Sequence, residues 1–391
     1  MESRRKSTKT RRVPVKSIKT TKKTQKPKKS DIEEKRLEVQ SEFRINLQSI
    51  TDRYKNYLGV KVADIEKETA ITMCEFLQDI KNNVKAVQGN IYIIKDINNK
   101  TYVVKSQILS RNLIENETFA SLNLRSFIIH SLVNRMIESN QSFGLPRLFS
   151  TFICKDEIND KEEIVTFEEY VGTWSLKDFV NSKNLTSDTM CSLYCQLVYI
   201  IFSLMFYKGI SQGDIHDENV RVSKTSYDYI RILLPKSDPI YIPTNGYMIH
   251  LIDFDNSSWF GTYQLEPLVG LSSMAIMQRH LIGDIFDATK IFEEKCGNCD
   301  CFGDPKSENN LYSCISSNLA YLLGKINPDI NELYKESLKD KKLQAQIMLI
   351  VKGIWKKCFI QWYNNTYFSS LEFTDFSKIS ERRILTVGSL E

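Results

Sequence analysis

The segment ISQGDIHDENVRV, residues 210–222, sets Asp214, His216 and Asn219 at fixed offsets directly behind an apolar stretch. Such a run is either a solvated loop or part of a reaction centre. The preceding LVYIIFSLMF, Leu197 to Phe206, is the longest apolar run and about half of the ~20 residues that a membrane-spanning helix needs, so no transmembrane segment is expected. Leu193, Leu197, Ile200/Ile201 and Leu204 share one helical face, and the run reads as a core helix that delivers the chain to the polar cluster.

Working outward, YIRILLP, IYIP and YMIHLIDF follow as short strands, a strand-rich insert at about 223–247, and the remainder to Glu391 reads as mostly helical. Upstream, Asn90 to Lys95 and Thr101 to Lys105 are β-branched and aromatic runs flanking the turn-forming DINNK, an antiparallel hairpin. A helix is expected from about Ile114 to Ile137, IVTFEEYV reads as a strand, and TWSLKDFV begins another helix. Three- and four-residue apolar steps between residues 31 and 85 predict a helical N-terminal extension. The order is a small strand-rich part, residues 86–170, before a larger helical part, residues 171–391.

The 391 residues are 42% hydrophobic and 26% charged, a globular composition. The net charge of +5 conceals an asymmetry: residues 1–30 hold 13 Lys or Arg against one acid, leaving a mildly acidic body. That tail has too little apolar surface to offset the entropy of ordering and is expected to be disordered. It suits non-specific contact with nucleic acid or an acidic surface, a nuclear address, or a phosphorylation substrate. No apolar signal region follows it, and nine unevenly placed cysteines argue for a reducing compartment, so an intracellular site, cytoplasmic or nuclear, is expected.

Phosphoryl transfer from a nucleotide needs a loop over the phosphates, a lysine on them held by a carboxylate, a base for the acceptor hydroxyl, and oxygen ligands for magnesium. Candidates occur in a workable order. Asp214 and Asn219 have the catalytic-loop spacing, with Asp214 as base and Asn219 on the metal. Asp253 ends the strand LIDFD as the second metal ligand, and Lys105 in TYVVK is the phosphate lysine. Gly89 in VQGNIYII stands where a glycine-rich loop belongs, and FEEYVG resembles the hinge that joins the two lobes of a kinase, where Glu169 and Val171 would offer backbone groups to an adenine ring. The bland alternatives are loop caps for the acids and a strand-edge surface lysine for Lys105.

HDENV, with histidine where lysine is usual, together with YIPTNGYMIHLIDF, resembles haspin-type atypical protein kinases and the Ser/Thr protein kinases of large DNA viruses. The resemblance covers roughly residues 86–300. It implies an α+β, bilobal protein-kinase-like fold, with a β-rich first lobe, a mainly helical second lobe, and ATP and Mg2+ as cofactors. It also implies a protein substrate, a virion-associated location if the source is viral, and Asp287 of IFDATK as the anchor of the catalytic loop.

Glu117, or else Glu115, is the expected helix partner of Lys105, and His216 supports either the γ-phosphate or the loop. Departures from the pattern are Gln212 for a histidine, Asp255 for a glycine, Glu168 at a position beside the adenine pocket, and a glycine loop reduced to Gly89.

The leading expectation is an ATP- and Mg-dependent Ser/Thr protein kinase. A small-molecule kinase of the aminoglycoside or choline type and a pseudokinase scaffold are the alternatives. Cys296, Cys299, Cys301 and Cys314 offer four thiolates for a structural Zn2+, against unpaired cysteines in a loop.

Overall fold

The computed structural model describes Leu77, Ile80 and residues 90–95, 101–108, 122–156, 161–182, 185–260, 272–295, 341–364 and 379–388. The chain divides into two compact units, Met1–Ser41 and Glu42–Glu391, and every described residue belongs to the second. The basic tail, Gly89, Glu115, Glu117 and the cysteines Cys296, Cys299, Cys301 and Cys314 lie outside the described residues, as does the helical extension apart from Leu77 and Ile80.

Four antiparallel strands form the first sheet in the order β1-β2-β4-β3: β1 (Ile91–Lys95), β2 (Thr101–Ile108), β3 (Leu148–Asp156) and β4 (Lys161–Glu169). The expected hairpin is present as β1 and β2, with Tyr92 opposite Val104. Side chains alternate across a strand, so one face of this sheet is apolar. Val104, Val165 and Phe167 on that face pack with Tyr92, Leu77 and Ile80 into a small core of their own. The other face carries Lys105 and Gln107 of β2 and Thr166 and Glu168 of β4, in the register Lys105 to Thr166 and Val103 to Glu168.

Helix α1 (Leu122–Glu138) runs between β2 and β3, and β5 (Trp174–Ser175) leads into α2 (Leu176–Ser182). The apolar segment is α3 (Ser187–Ser203), extended by a wider π-helical turn, Leu204–Lys208. Thr186 caps α3 by accepting the Thr189 N–H at 3.2 Å, which satisfies one of the donors a helix start leaves open.

From Ser187 to Lys208 this helix is long and apolar enough to span a membrane by length and composition, and its apolar window is wholly buried inside the protein. A helix apolar on every side belongs at the centre of a core. Tyr194 packs on Phe292 of α4 (Ser272–Lys295) and on Trp362 of α5 (Lys341–Asn364), and Phe202 stacks on Phe359 of α5. This second core is several times larger than the first.

After α3 come β6 (Ile210–Ser211), β7 (Val220–Lys224), β8 (Tyr229–Leu233), β9 (Ile240–Pro243), β10 (Tyr247–Leu251) and β11 (Ser258–Trp259). With β5 and a later strand, β12 (Ile384–Gly388), they make three small sheets, β10-β7-β5, β11-β6 and β12-β8-β9. The last contains a strand that the sequence reading, mostly helical to the C-terminus, does not contain: β12 (Ile384–Gly388), parallel to β8. A five-residue parallel strand has no hairpin signal to announce it, and its pairing depends on a partner about 150 residues away. Arg231 clamps the approach to β12 with a two-pronged ion pair to Glu381 at 2.9 and 3.0 Å.

Candidate active site

Asp214, Asn219 and Asp253 meet because α3 holds the strand that leads to Asp253. Gln196, buried in α3, accepts the Ile249 N–H at 2.9 Å and donates to the Tyr247 carbonyl at 3.1 Å, and Ser192 donates to the Pro243 carbonyl. These bonds staple β9 and β10 to the central helix. Ile252 N–H donates to the Asn219 carbonyl at 3.0 Å, which sets the end of β10 beside the polar loop.

The loop itself is held from below by Asp284 of α4. Its carboxylate accepts from Ser211 Oγ at 2.7 Å, Gln212 N–H at 2.9 Å and Gly213 N–H at 3.0 Å. Burial pushes the Asp284 pKa up to about 6, against the lowering effect of those three donors. The anchor expected at Asp287 is therefore Asp284. Asp287 lies on the exposed side of α4, three residues further on, and lines a shallow pocket with Ile215, His216 and Asp217. Three residues are nearly one helical turn, so both acids point toward the loop, but only Asp284 reaches its backbone.

Gln212, which looks like a departure in the sequence, joins the two halves of the site. Its amide nitrogen donates to the carbonyls of Asp253 at 2.8 Å and Ile252 at 3.2 Å, and its oxygen accepts the Asp214 N–H at 2.6 Å. An amide can donate and accept at once, which is what this position asks for. Asp214 receives the Asn256 amide on Oδ2 at 2.9 Å, and Asn219 donates to the Asp214 carbonyl at 3.1 Å. His216 supports the loop: its Nδ1 accepts the Glu218 N–H at 3.3 Å and its carbonyl accepts the Asn219 N–H at 3.0 Å.

Asp253 has a left-handed backbone, φ +62°, a conformation that costs a non-glycine residue and persists where surroundings enforce it. Phe254, fully buried and edge-on to His130 at 5.5 Å, is that anchor, and it leaves the Asp253 side chain turned toward the first sheet. Lys105 Nζ donates to Asp253 Oδ1 at 3.1 Å and lies 3.5 Å from Glu168 Oε2. Two residues along the same face of β2, Gln107 donates to Asp255 Oδ2 at 2.6 Å. The pairs repeat with the two-residue period of the strand, Lys105 on Asp253 and Gln107 on Asp255.

Burial works to lower the Lys105 pKa, but Glu168, Asp255 and Asp253 outweigh it and raise the pKa above the ordinary lysine value, so the ammonium is charged. His130 shows the opposite balance: full burial lowers its pKa despite Glu168 nearby, and at 3.8 Å from Glu168 Oε1 its Nε2 is beyond hydrogen-bond reach. The imidazole is a neutral wall of the site.

Glu169 and Val171 lie at the end of β4 and just beyond it. The Glu169 N–H is already bonded to the Arg147 carbonyl at 2.7 Å, and its carboxylate accepts the Arg147 N–H at 3.3 Å.

Among the described residues, no three His, Cys, Asp or Glu side chains converge as a metal site. Asn219 and Asp253 supply an amide oxygen and a carboxylate, hard oxygen donors few in number. That set fits a magnesium ion whose other ligands are phosphate oxygens and water.

No protein-family model matches the sequence, and no curated protein matches it. Comparison with solved structures returns, among others, the crystal structure of the Rad53 kinase domain and SCD2, at 15% identity and a TM-score of 0.37, covering 77% of this chain and 95% of that one. The functional reading rests on the site's own geometry.

Proposed function

We propose that the chain is an ATP- and Mg-dependent protein kinase of bilobal, protein-kinase-like fold that transfers the γ-phosphate to Ser or Thr hydroxyls of a protein. The observation that carries the reading is the meeting of Lys105 with Asp253 across 148 residues of sequence, at 3.1 Å, beside the loop that bears Asp214 and Asn219.

In this reading Asp214, steadied by Asn256, orients the acceptor hydroxyl and takes its proton. The charged Lys105 binds phosphate oxygens, and Asn219 and Asp253 hold the magnesium. The ion, when bound, neutralises charge that develops on the transferred group. Positioning and electrostatics supply most of the rate, so a rigid loop matters. Asp284 and Gln212 provide that rigidity.

The test is transfer of labelled γ-phosphate from Mg-ATP to the chain itself, to casein, to histone and to a panel of small-molecule alcohols. Label that vanishes in Asp214→Ala and Asp253→Ala supports the assignment. Transfer retained by Asp253→Ala overturns it, and transfer confined to small-molecule alcohols assigns the site to a metabolite kinase instead.

A further inference from the structure

We infer that Glu168, on β4, is the positioning residue that holds Lys105 on the nucleotide phosphates, the task expected of Glu117 on a helix. The inference rests on the phosphotransfer reading above. Lys105 and Thr166 are directly opposed in the β2–β4 ladder, and Glu168 is the next residue of β4 on the same face. Its Oε2 is 3.5 Å from Lys105 Nζ, and Thr166 Oγ1 donates to its Oε1 at 3.0 Å, which fixes the carboxylate plane. With 4% of Glu168 exposed, solvent screens the attraction little. His130 Nε2 stands 3.8 Å from Glu168 Oε1 and makes no hydrogen bond that would draw the carboxylate away from the lysine.

Asp253 and Glu168 have different futures when nucleotide arrives. Asp253 would be shared with the cation, which weakens its hold on Lys105. Glu168 stays as the counter-ion that keeps the ammonium over the phosphates.

The carboxylate that holds such a lysine is elsewhere borne on a helix whose docking can be switched. Here both partners sit in adjacent strands of one sheet, paired at seven positions from Tyr102/Glu169 to Ile108/Glu163. The lysine is held as soon as the sheet folds. Holding the lysine in this way does not require the docking of a helix.

The experiment is titration of Mg-ATP binding and steady-state transfer with the full chain, as wild type, Glu168→Gln, Glu168→Asp, Glu117→Gln, Lys105→Ala and the Glu168→Gln/Lys105→Ala pair. Thermal unfolding of each selects folded protein. Glu168→Gln is expected to weaken Mg-ATP binding and raise KM for ATP roughly 10- to 100-fold, the scale of a hydrogen bond to a charged group. Glu168→Asp recovers part of that loss. In the Lys105→Ala background Glu168→Gln adds nothing, since it acts through the lysine.

Unchanged binding in Glu168→Gln, an effect that persists without Lys105, or the loss appearing in Glu117→Gln instead overturns the inference. A wild-type chain that binds no Mg-ATP fails the phosphotransfer reading and this inference with it. Mg-ATP binding by wild type with no effect of Glu168 fails the inference alone.

Discussion

The Gln212 side-chain oxygen accepts the backbone N–H of Asp214 at 2.6 Å, while the same amide donates to the Asp253 carbonyl at 2.8 Å. One buried side chain thus sets the spacing between the proposed base and the proposed metal ligand. Gln212→Ala is expected to cost about 2–3 kcal/mol by leaving buried backbone groups unpaired. It is also expected to slow phosphate transfer roughly 100-fold, the scale of a 1 Å misplacement. Denaturant unfolding and single-turnover transfer check the two separately. A variant that loses stability and keeps its rate would show that Gln212 is structural only.

Asp284 and Asp287 are both acids on α4, and they should behave differently. Asp284→Ala strands three donors beneath the loop and is expected to destabilise by about 3 kcal/mol or more. Asp287→Ala, at an exposed position, should stay within about 0.5 kcal/mol. Urea midpoints of the two variants decide it, and equal losses would return the anchoring role to Asp287.

The pH dependence of stability has two opposed contributions. Asp284 has a folded-state pKa of about 6 against 3.8 ordinarily, so the native state holds its proton more tightly than the unfolded chain. That stabilisation is complete below pH 3.8 and disappears as pH rises through 6, about 3 kcal/mol in all. His250, buried first of all and also facing Arg221, is lowered from 6.5 to about 4. Its contribution is complete above pH 6.5 and is lost as pH falls toward 4, again about 3 kcal/mol. Unfolding free energies from pH 4 to 8 should fall more with rising pH between about 4 and 6 in His250→Gln, where the Asp284 contribution is left unopposed, and rise more between about 4 and 6.5 in Asp284→Asn, where the His250 contribution is left unopposed, each relative to wild type. Parallel curves for wild type and both variants would refute the two assignments.

Gly388 ends β12 with φ +95°, and a Cβ there would stand 2.0 Å from the Leu233 carbonyl oxygen. Neither the dihedral nor the backbone contact admits a side chain. Gly388→Ala is expected to cost about 1–3 kcal/mol and to loosen β8, the strand it borders. Hydrogen exchange should show faster amides in Tyr229–Leu233 with little change in β1 and β2. Uniform acceleration across the chain would instead mean that β12 stabilises the whole unit.

How far the sequence went is clearest in β1 and β2. Their alternation and the turn between them are local, and local patterns survive into the fold because neighbours along the chain are neighbours in the sheet. The same holds for α3, where apolar residues on every side can only mean a central helix. The strand β12 was not legible, because its parallel partner is remote and no turn joins them.

Within the site, the sequence named Lys105, Asp214, Asn219 and Asp253 from spacing and order alone. It misassigned the anchor, since Asp284 and Asp287 are equivalent acids until the helix phase is known. Gln212, Asp255 and Glu168 looked like departures from a pattern, and the structure gives each a bonded partner: Asp214, Gln107 and Lys105 respectively. A pattern records which residue is usual, whereas a hydrogen bond requires only a donor and an acceptor at the right distance.

The apolar core helix, the hairpin and the polar groups on the loop are readable along the chain, because those depend on contacts within a few residues. Which groups meet depends instead on packing between remote segments. Lys105 with Asp253 and Glu168, and Asp284 with the backbone of Ser211 to Gly213, are separated by about 60 to 150 residues, and their pairing is fixed by how α3 aligns the sheets around it.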